Sequence, residues 1–135
     1  RYFNVYGERM NLEGAYCLVM GIFAKQMLDG KPLTITNDGT QRRDFTYVGD
    51  VIEANILAAK HPEKLNGESF NIGNGSNYSV NDVADMLGGE KTYGEKRFEP
   101  YETLADNSKA RNILGWSPKG DLPSWIKKYK KDLGI

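Results

Sequence analysis

Asp38-Gly39-Thr40-Gln41-Arg42-Arg43-Asp44-Phe45-Thr46-Tyr47-Val48-Gly49-Asp50-Val51 sets a glycine turn, two adjacent arginines, a β-prone run and a helix start in one short stretch. Phe45 to Val48 reads as a strand, and a helix opens at Gly49 or Asp50. This order delivers a guanidinium to the end of a strand, where its flat fork can grip a phosphate with paired hydrogen bonds. Adjacent residues on a strand face opposite ways, so only one arginine reaches a given site. Arg43, the one followed by Asp-Phe, is assigned that role. The nearest bland reading, an ion pair with a neighbouring carboxylate, applies to any lone arginine.

Around this centre, composition narrows the function classes. The 135 residues suffice for one domain with a real core. Lys+Arg and Asp+Glu balance at 18 each, so overall charge draws the chain neither to nucleic acid nor to an anionic membrane. The single cysteine, Cys17, forms no internal disulfide and has no metal-ligand spacing around it, which fits a reducing cytoplasm and no metal. No apolar run approaches the roughly 18 residues of a membrane span. Arg1 opens directly on a β-prone run, as expected of a segment of a longer protein.

Strands and helices alternate along the chain, which predicts an α/β fold. Arg1 to Gly7 reads as a strand ended by glycine, and residues 8–14 as a polar loop. Leu18, Ile22, Phe23 and Met27 suit the apolar face of a helix to Leu28, stopped by Gly30. Leu33 to Thr36 alternates as a short strand. Asp50-Val51-Ile52-Glu53 has the form of a capping box, opening a helix to about Lys60 that Pro62 closes. Ser69 to Gly73 reads as a strand. Ser79 caps a helix with Val80, Val83, Ala84 and Leu87 on one face, ended by Gly88-Gly89. Residues 90–103 read as strand plus loop. Asp106-Asn107-Ser108 caps a helix to Leu114, stopped by Gly115. Leu122, Trp125, Ile126, Tyr129 and Leu133 form the stripe of a last helix.

Gly73-Asn74-Gly75-Ser76-Asn77-Tyr78 stands between strand and helix, where a dinucleotide fingerprint belongs. Tyr78 occupies the third glycine position, and a side chain there blocks close packing and crowds a pyrophosphate. The stretch therefore reads as a tight turn. Arg97 is a second candidate anion ligand, since two arginines from distant loops can clamp a diphosphate. The run Lys127-Lys128-Tyr129-Lys130-Lys131 places its tyrosine on the apolar stripe and its lysines at a helix C-terminus, so it is read as a solvated face. His61 has no catalytic partner pattern and is read as solvated.

Several stretches together resemble a known family. Lys31 to Val51 is similar to the Pro-Leu-x-Ile-x-Gly-Asp-Gly-x-Gln-x-Arg-Asp-Phe-x-Tyr-Val-x-Asp-Val run of extended short-chain dehydrogenase/reductases that act on nucleotide-sugars. Arg1-Tyr2-Phe3-Asn4-Val5-Tyr6-Gly7 resembles the Arg-Tyr-Phe-Asn-x-Tyr-Gly strand of that family. Phe70 to Gly75 with Ser79-Val80 resembles its Phe-Asn-Ile-Gly-x-Gly turn and helix. Thr103 to Ala110, with Ile113-Leu114-Gly115-Trp116-x-Pro118, resembles its closing motif. The chain is identified as similar to the C-terminal, substrate-binding half (residues 1–135) of UDP-glucose 4-epimerase-like enzymes.

The resemblance implies the C-terminal portion of a Rossmann-type enzyme with its small mixed α/β substrate-binding domain. It implies a cytoplasmic, homodimeric full-length protein that uses NAD and takes a nucleotide-diphosphate sugar, a UDP-sugar above all. NAD oxidises C4 of the sugar to a 4-keto intermediate and then re-reduces it. A 4,6-dehydratase or decarboxylase of the same family, and a non-catalytic nucleotide-sugar binding module, are the alternatives. By position, Tyr2 lies near the nicotinamide, and Phe3 and Asn4 near the sugar and diphosphate. Leu18 and Val19 border the nucleotide, Thr34 to Thr36 line the base, and Arg43 and Arg97 hold the diphosphate. Glu99 meets a ribose hydroxyl, although Arg-Phe-Glu-Pro replaces the usual Arg-Pro-Gly-Asp/Glu. Met20-Gly21 and Asn37 replace Ile-Pro and Gly. The catalytic Tyr-x-x-x-Lys pair and the Gly-x-x-Gly-x-x-Gly cofactor motif of the family do not occur among these residues.

Overall fold

A computed structural model describes residues 1–135 as five helices around three short strand pairs. β1 (Val5–Tyr6) pairs in parallel with β4 (Thr46–Tyr47), and β2 (Leu33–Ile35) in parallel with β6 (Lys91–Tyr93). β3 (Arg42–Arg43) runs antiparallel to β5 (Tyr78–Ser79). The helices are α1 (Val19–Leu28), α2 (Val48–Ala59), α3 (Val80–Leu87), α4 (Ser108–Leu114) and α5 (Leu122–Leu133). The mixed α/β class expected from the alternation is the one observed.

Two cores form. The larger joins α1, α3 and α5 over β2 through Phe23, Leu33, Ile35, Val83, Leu87 and Ile126. Burying each such side chain is worth about 1.5–3 kcal/mol relative to leaving it exposed. The smaller joins α2 and α4 through Val51, Ala54, Phe70, Ile72, Leu114 and Trp116. Between them runs the centre of the sequence, β3 and β4.

Local chemistry accounts for most element boundaries. Ser79 Oγ accepts from the Asp82 N–H (3.0 Å), and the Asp82 carboxylate accepts from the Ser79 N–H (2.8 Å), a reciprocal capping box. Val80, Val83, Ala84 and Leu87 are all buried, as their spacing predicts. Asp121 caps α5 through the Ser124 N–H (3.0 Å). Tyr129 stacks on Trp125 at 4.5 Å, while Lys127, Lys128 and Lys131 face solvent.

Five expectations change. The capping box at Asp50 is not one: α2 starts at Val48, Tyr47 is its N-cap, and Asp50 turns away from the helix end. Its carboxylate accepts from the N–H groups of Lys119 (3.0 Å) and Gly120 (2.8 Å), and Glu53 pairs with Lys119 Nζ (2.7 Å). In α1 the buried face is Met20, Gly21, Phe23 and Ala24, leaving Leu18 and Ile22 about 40% exposed. Of the two strands expected at 1–7 and 69–73, β1 survives at Val5–Tyr6, and a parallel Tyr2–Ile72 bridge joins the rest. Asn107 forms no cap bond to α4; its amide donates to the Gly73 carbonyl (2.8 Å), and Asp106 accepts from the Ser108 N–H instead. His61 is half-buried, with Nε2 3.1 Å from the Ile113 carbonyl oxygen.

Candidate functional site

The two arginines of β3 part as strand geometry requires. Arg42 turns to the α3 side, where Nε donates to Asn77 Oδ1 (2.7 Å) and Nη2 to the Asn77 carbonyl (2.8 Å). Arg43 turns the other way into a cleft of about 230 Å³, and its side chain is only 13% exposed. There Nη1 donates to the Arg42 carbonyl (2.8 Å) and Nη2 meets the Glu99 carboxylate.

α1 and the end of β2 build one wall of this cleft. Leu18, Val19, Ile22 and Phe23 give it an apolar surface, and Thr34 and Thr36 a polar edge. Gln26 pins that edge: its Oε1 accepts from the Thr34 N–H and its Nε2 donates to Thr34 Oγ1, both at 3.0 Å. The opposite wall is the loop after β6. It carries exposed Arg97, whose N–H donates to Asn37 Oδ1 (2.8 Å), and half-buried Glu99. Asn4, in the left-handed region at φ 33°, donates through Nδ2 to the Asp44 carbonyl (3.1 Å). Asn4, Leu18 and Phe45 also line an adjoining hollow of about 270 Å³ that contains Arg9 and Tyr16.

Eight anticipated residues thus share one cleft: Asn4, Leu18, Val19, Thr34, Thr36, Arg43, Arg97 and Glu99. Phe3 and Tyr2 are not among its lining. Phe3 is half-buried, and Tyr2, 57% exposed, donates its hydroxyl to Asn55 Oδ1 (3.0 Å). Gln41, Ile22 and Cys17 line the cleft without having been anticipated. For Ile22 the signal was present in its apolar character, but it was read as core. Gln41 falls on the glutamine of the family run but was given no role there, and Gln26 carried no sequence signal, because its role depends on a partner brought in by folding.

The cleft combines charged and apolar side chains. Arg43, Arg97 and Glu99 leave it one net positive charge beside an apolar wall, a combination that suits a planar ring joined to an anion. Cys17 is held as a thiol, its ionisation pushed up by burial and then by Glu13. Among tyrosines, burial raises Tyr6, Tyr47 and Tyr129, so none of these is poised as a tyrosinate. No group of three His, Cys, Asp or Glu side chains comes together to hold a metal ion. No helix is long and apolar enough to cross a membrane.

The Gly73–Gly75 turn does bind an anion, but one of the protein's own. Asp44 is fully buried, and its carboxylate accepts from the N–H groups of Asn74 (2.7 Å), Gly75 (2.9 Å) and Ala105 (3.0 Å). A Cβ on Gly73 would lie 2.3 Å from Ala105 Cβ, and Gly75 sits at φ +78°, so glycine is required at both. With Asp44 in place, the turn does not fit the pyrophosphate of a dinucleotide, and these residues contain no other glycine-rich cradle for one.

Comparison with known proteins places the chain in a family and a fold. Residues 1–73 match the NAD dependent epimerase/dehydratase family. The UDP-glucuronate 4-epimerase of Thermodesulfobacterium geofontis is 34% identical over 138 residues, covering 95% of this chain and 40% of that protein. The structure of UDP-glucose 4-epimerase from Thermotoga maritima with UDP-glucose matches at a TM-score of 0.85 and 36% identity, over 100% of this chain and 46% of that one. UDP-glucuronic acid 4-epimerase from Bacillus cereus, in complex with UDP-glucuronic acid and NAD, matches at 0.84 and 36%, over 98% and 44%. The chain spans less than half the length of each of these relatives.

Proposed function

The chain belongs to the NAD-dependent epimerase/dehydratase family, and we propose that it forms the nucleotide-sugar-binding part of a UDP-sugar 4-epimerase. The observation that carries the reading is the single cleft that gathers Arg43, Arg97, Asn4 and the Thr34–Thr36 edge against the apolar face of α1. Residues 1–135 act as the substrate-binding part, and the remainder of the protein supplies the cofactor part. The epimerases that the chain resembles were solved with UDP-glucose and with UDP-glucuronic acid, so the substrate proposed is a UDP-hexose of this kind. The full-length protein is proposed to be a cytoplasmic homodimer.

In this reading the uracil ring lies on Leu18, Val19 and Ile22, with its polar edge against Thr34 and Thr36. Arg43 and Arg97 take the diphosphate from two sides, which fixes the direction in which the sugar leaves the cleft. Asn4 stands at the mouth of the adjoining hollow, where it can meet the sugar end. NAD, when bound, supplies the acceptor and donor of the C4 hydride; its site is assigned to the rest of the protein, with Tyr2 the one residue here directed toward it. This chain's share of catalysis is orientation, which can contribute several orders of magnitude without any acid or base.

The test is steady-state kinetics of the complete protein with UDP-glucose and UDP-glucuronic acid. Arg43→Ala is expected to raise KM roughly 10- to 100-fold, the loss of a charge-assisted hydrogen-bonding pair worth about 1.5–3 kcal/mol. Unchanged KM for both substrates overturns the assignment.

A further inference from the structure

The Glu99 carboxylate occupies an unusual position in a cleft read as an anion site. Its Oε1 is held by three neutral side-chain donors: Asn37 Nδ2 (2.8 Å), Thr36 Oγ1 (3.3 Å) and Gln41 Nε2 (3.3 Å). Its Oε2 faces Arg43 alone. The two oxygens therefore do different work. One anchors the carboxylate to the protein, and the other satisfies the guanidinium that a ligand's phosphate would need.

The cradle is maintained at a cost. Gln41 is 4% exposed, and its Oε1 has no hydrogen-bond partner, while Nε2 is committed to the Thr36 carbonyl (3.0 Å) and to Glu99. A buried acceptor without a partner is unfavourable, and turning the amide over would aim an oxygen at the carboxylate. Asn37 sits in the left-handed region at φ 56°, which few residues other than glycine adopt. Its side chain ties the facing loop at two points, accepting from the Arg97 N–H and donating to Glu99.

We propose that Glu99, whose contact with a ribose hydroxyl the family resemblance already implies, is first a resident counter-ion of Arg43 that an arriving diphosphate displaces, so that its Oε2 is free for that contact only once the diphosphate is bound. This rests on the reading of the cleft as a nucleotide-diphosphate site. Before binding, Glu99 holds Nη2 of Arg43 in the cleft while Nη1 rests on the Arg42 carbonyl. On binding, the guanidinium exchanges one carboxylate oxygen for a more highly charged group that accepts both of its forked donors. The carboxylate does not move away, because its Oε1 cradle contains no part of the exchange. Arrival of the diphosphate thus switches on recognition of the neighbouring hydroxyl.

Titration calorimetry of the complete protein with inorganic pyrophosphate and with UDP tests this in wild type, E99Q and R43A. E99Q is expected to bind pyrophosphate roughly fivefold tighter, the factor for removing an ion pair worth about 1 kcal/mol. The gain is expected to shrink or reverse for UDP, whose ribose loses a charged acceptor. A general reduction of negative charge would instead improve both ligands alike, and that result overturns the proposal. So does unchanged or weaker pyrophosphate binding by E99Q with a wild-type thermal melt. If R43A binds pyrophosphate as wild type does, the anion-site reading itself fails. If R43A loses binding while E99Q gains none, only the counter-ion role fails.

Discussion

Asp44 and Glu99 are both carboxylates enclosed on two sides of the same strand, yet they are held in opposite ways. Asp44 is fully buried and bonded to three backbone N–H groups from two separate segments. Glu99 is held by side chains, and its one cationic partner lies in an open cleft. Backbone donors cannot leave without unfolding the turn that presents them, whereas a side chain can change rotamer. The difference teaches which internal anion is structural and which is exchangeable. The first locks the 73–75 turn to the 105 loop; the second waits on a guanidinium.

The sharpest way to break this contrast is through stability. Asp44→Asn should lower unfolding free energy in urea by about 3–5 kcal/mol, because a buried network loses its charge and turns an N–H₂ toward backbone donors. Glu99→Gln should shift the same transition by less than about 1 kcal/mol, because its glutamine amide can keep the neutral cradle and the Arg43 guanidinium lies in a cleft that water can enter. Similar losses for the two variants would erase the distinction. A smaller effect is expected on the arginine side: Arg43→Lys keeps the charge but not the fork, and should raise KM roughly tenfold. Ser79→Ala, which removes half of the α3 capping box away from either carboxylate, should cost about 1 kcal/mol by the same denaturation measurement.

The smallest effect concerns a third carboxylate, on the surface. Asp121 is held below the ordinary carboxylate range by hydrogen bonds from Ser124, first from its side chain and then from its backbone. Its folded pKa is depressed, so its stabilisation is present above the ordinary range and fades as pH falls through the folded value. Asp121→Asn should flatten the acid side of a stability-against-pH curve slightly, and leave its neutral plateau nearly unchanged. A steeper acid limb in the variant would contradict the assignment.

Much of this arrangement was legible in the sequence where the governing rule is local. The alternation of Arg42 and Arg43 follows from strand geometry, the α3 face from helical spacing, and the Gly115 stop from its left-handed backbone (φ 65°). The cleft residues were reached through family resemblance, and eight of them meet in one place. Local rules failed where a side chain answers a distant partner. Asp50 has the spacing of a capping residue, but its carboxylate serves backbone groups nearly 70 residues away. Leu18 and Ile22 have the spacing of core residues, but they face the cleft. A binding wall and a core face are equally apolar, so hydrophobicity alone does not separate them. Gln41 and Asn37 gain their roles from Glu99, 58 and 62 positions along the chain.

The tie between Asp50 and the segment after α4 also constrains how the chain is made. Trp116 donates its indole N–H to the Asp50 carbonyl across 66 residues, and Lys119 and Gly120 reach its carboxylate across 69 and 70. At a synthesis rate of roughly 5–20 residues per second, Asp50 is made about 3–14 seconds before these partners exist. During that interval the start of α2 carries an unpaired carboxylate, and the smaller core lacks Trp116. Native closure of this region therefore waits for residues 116–120 to be made rather than for α2 itself to coil.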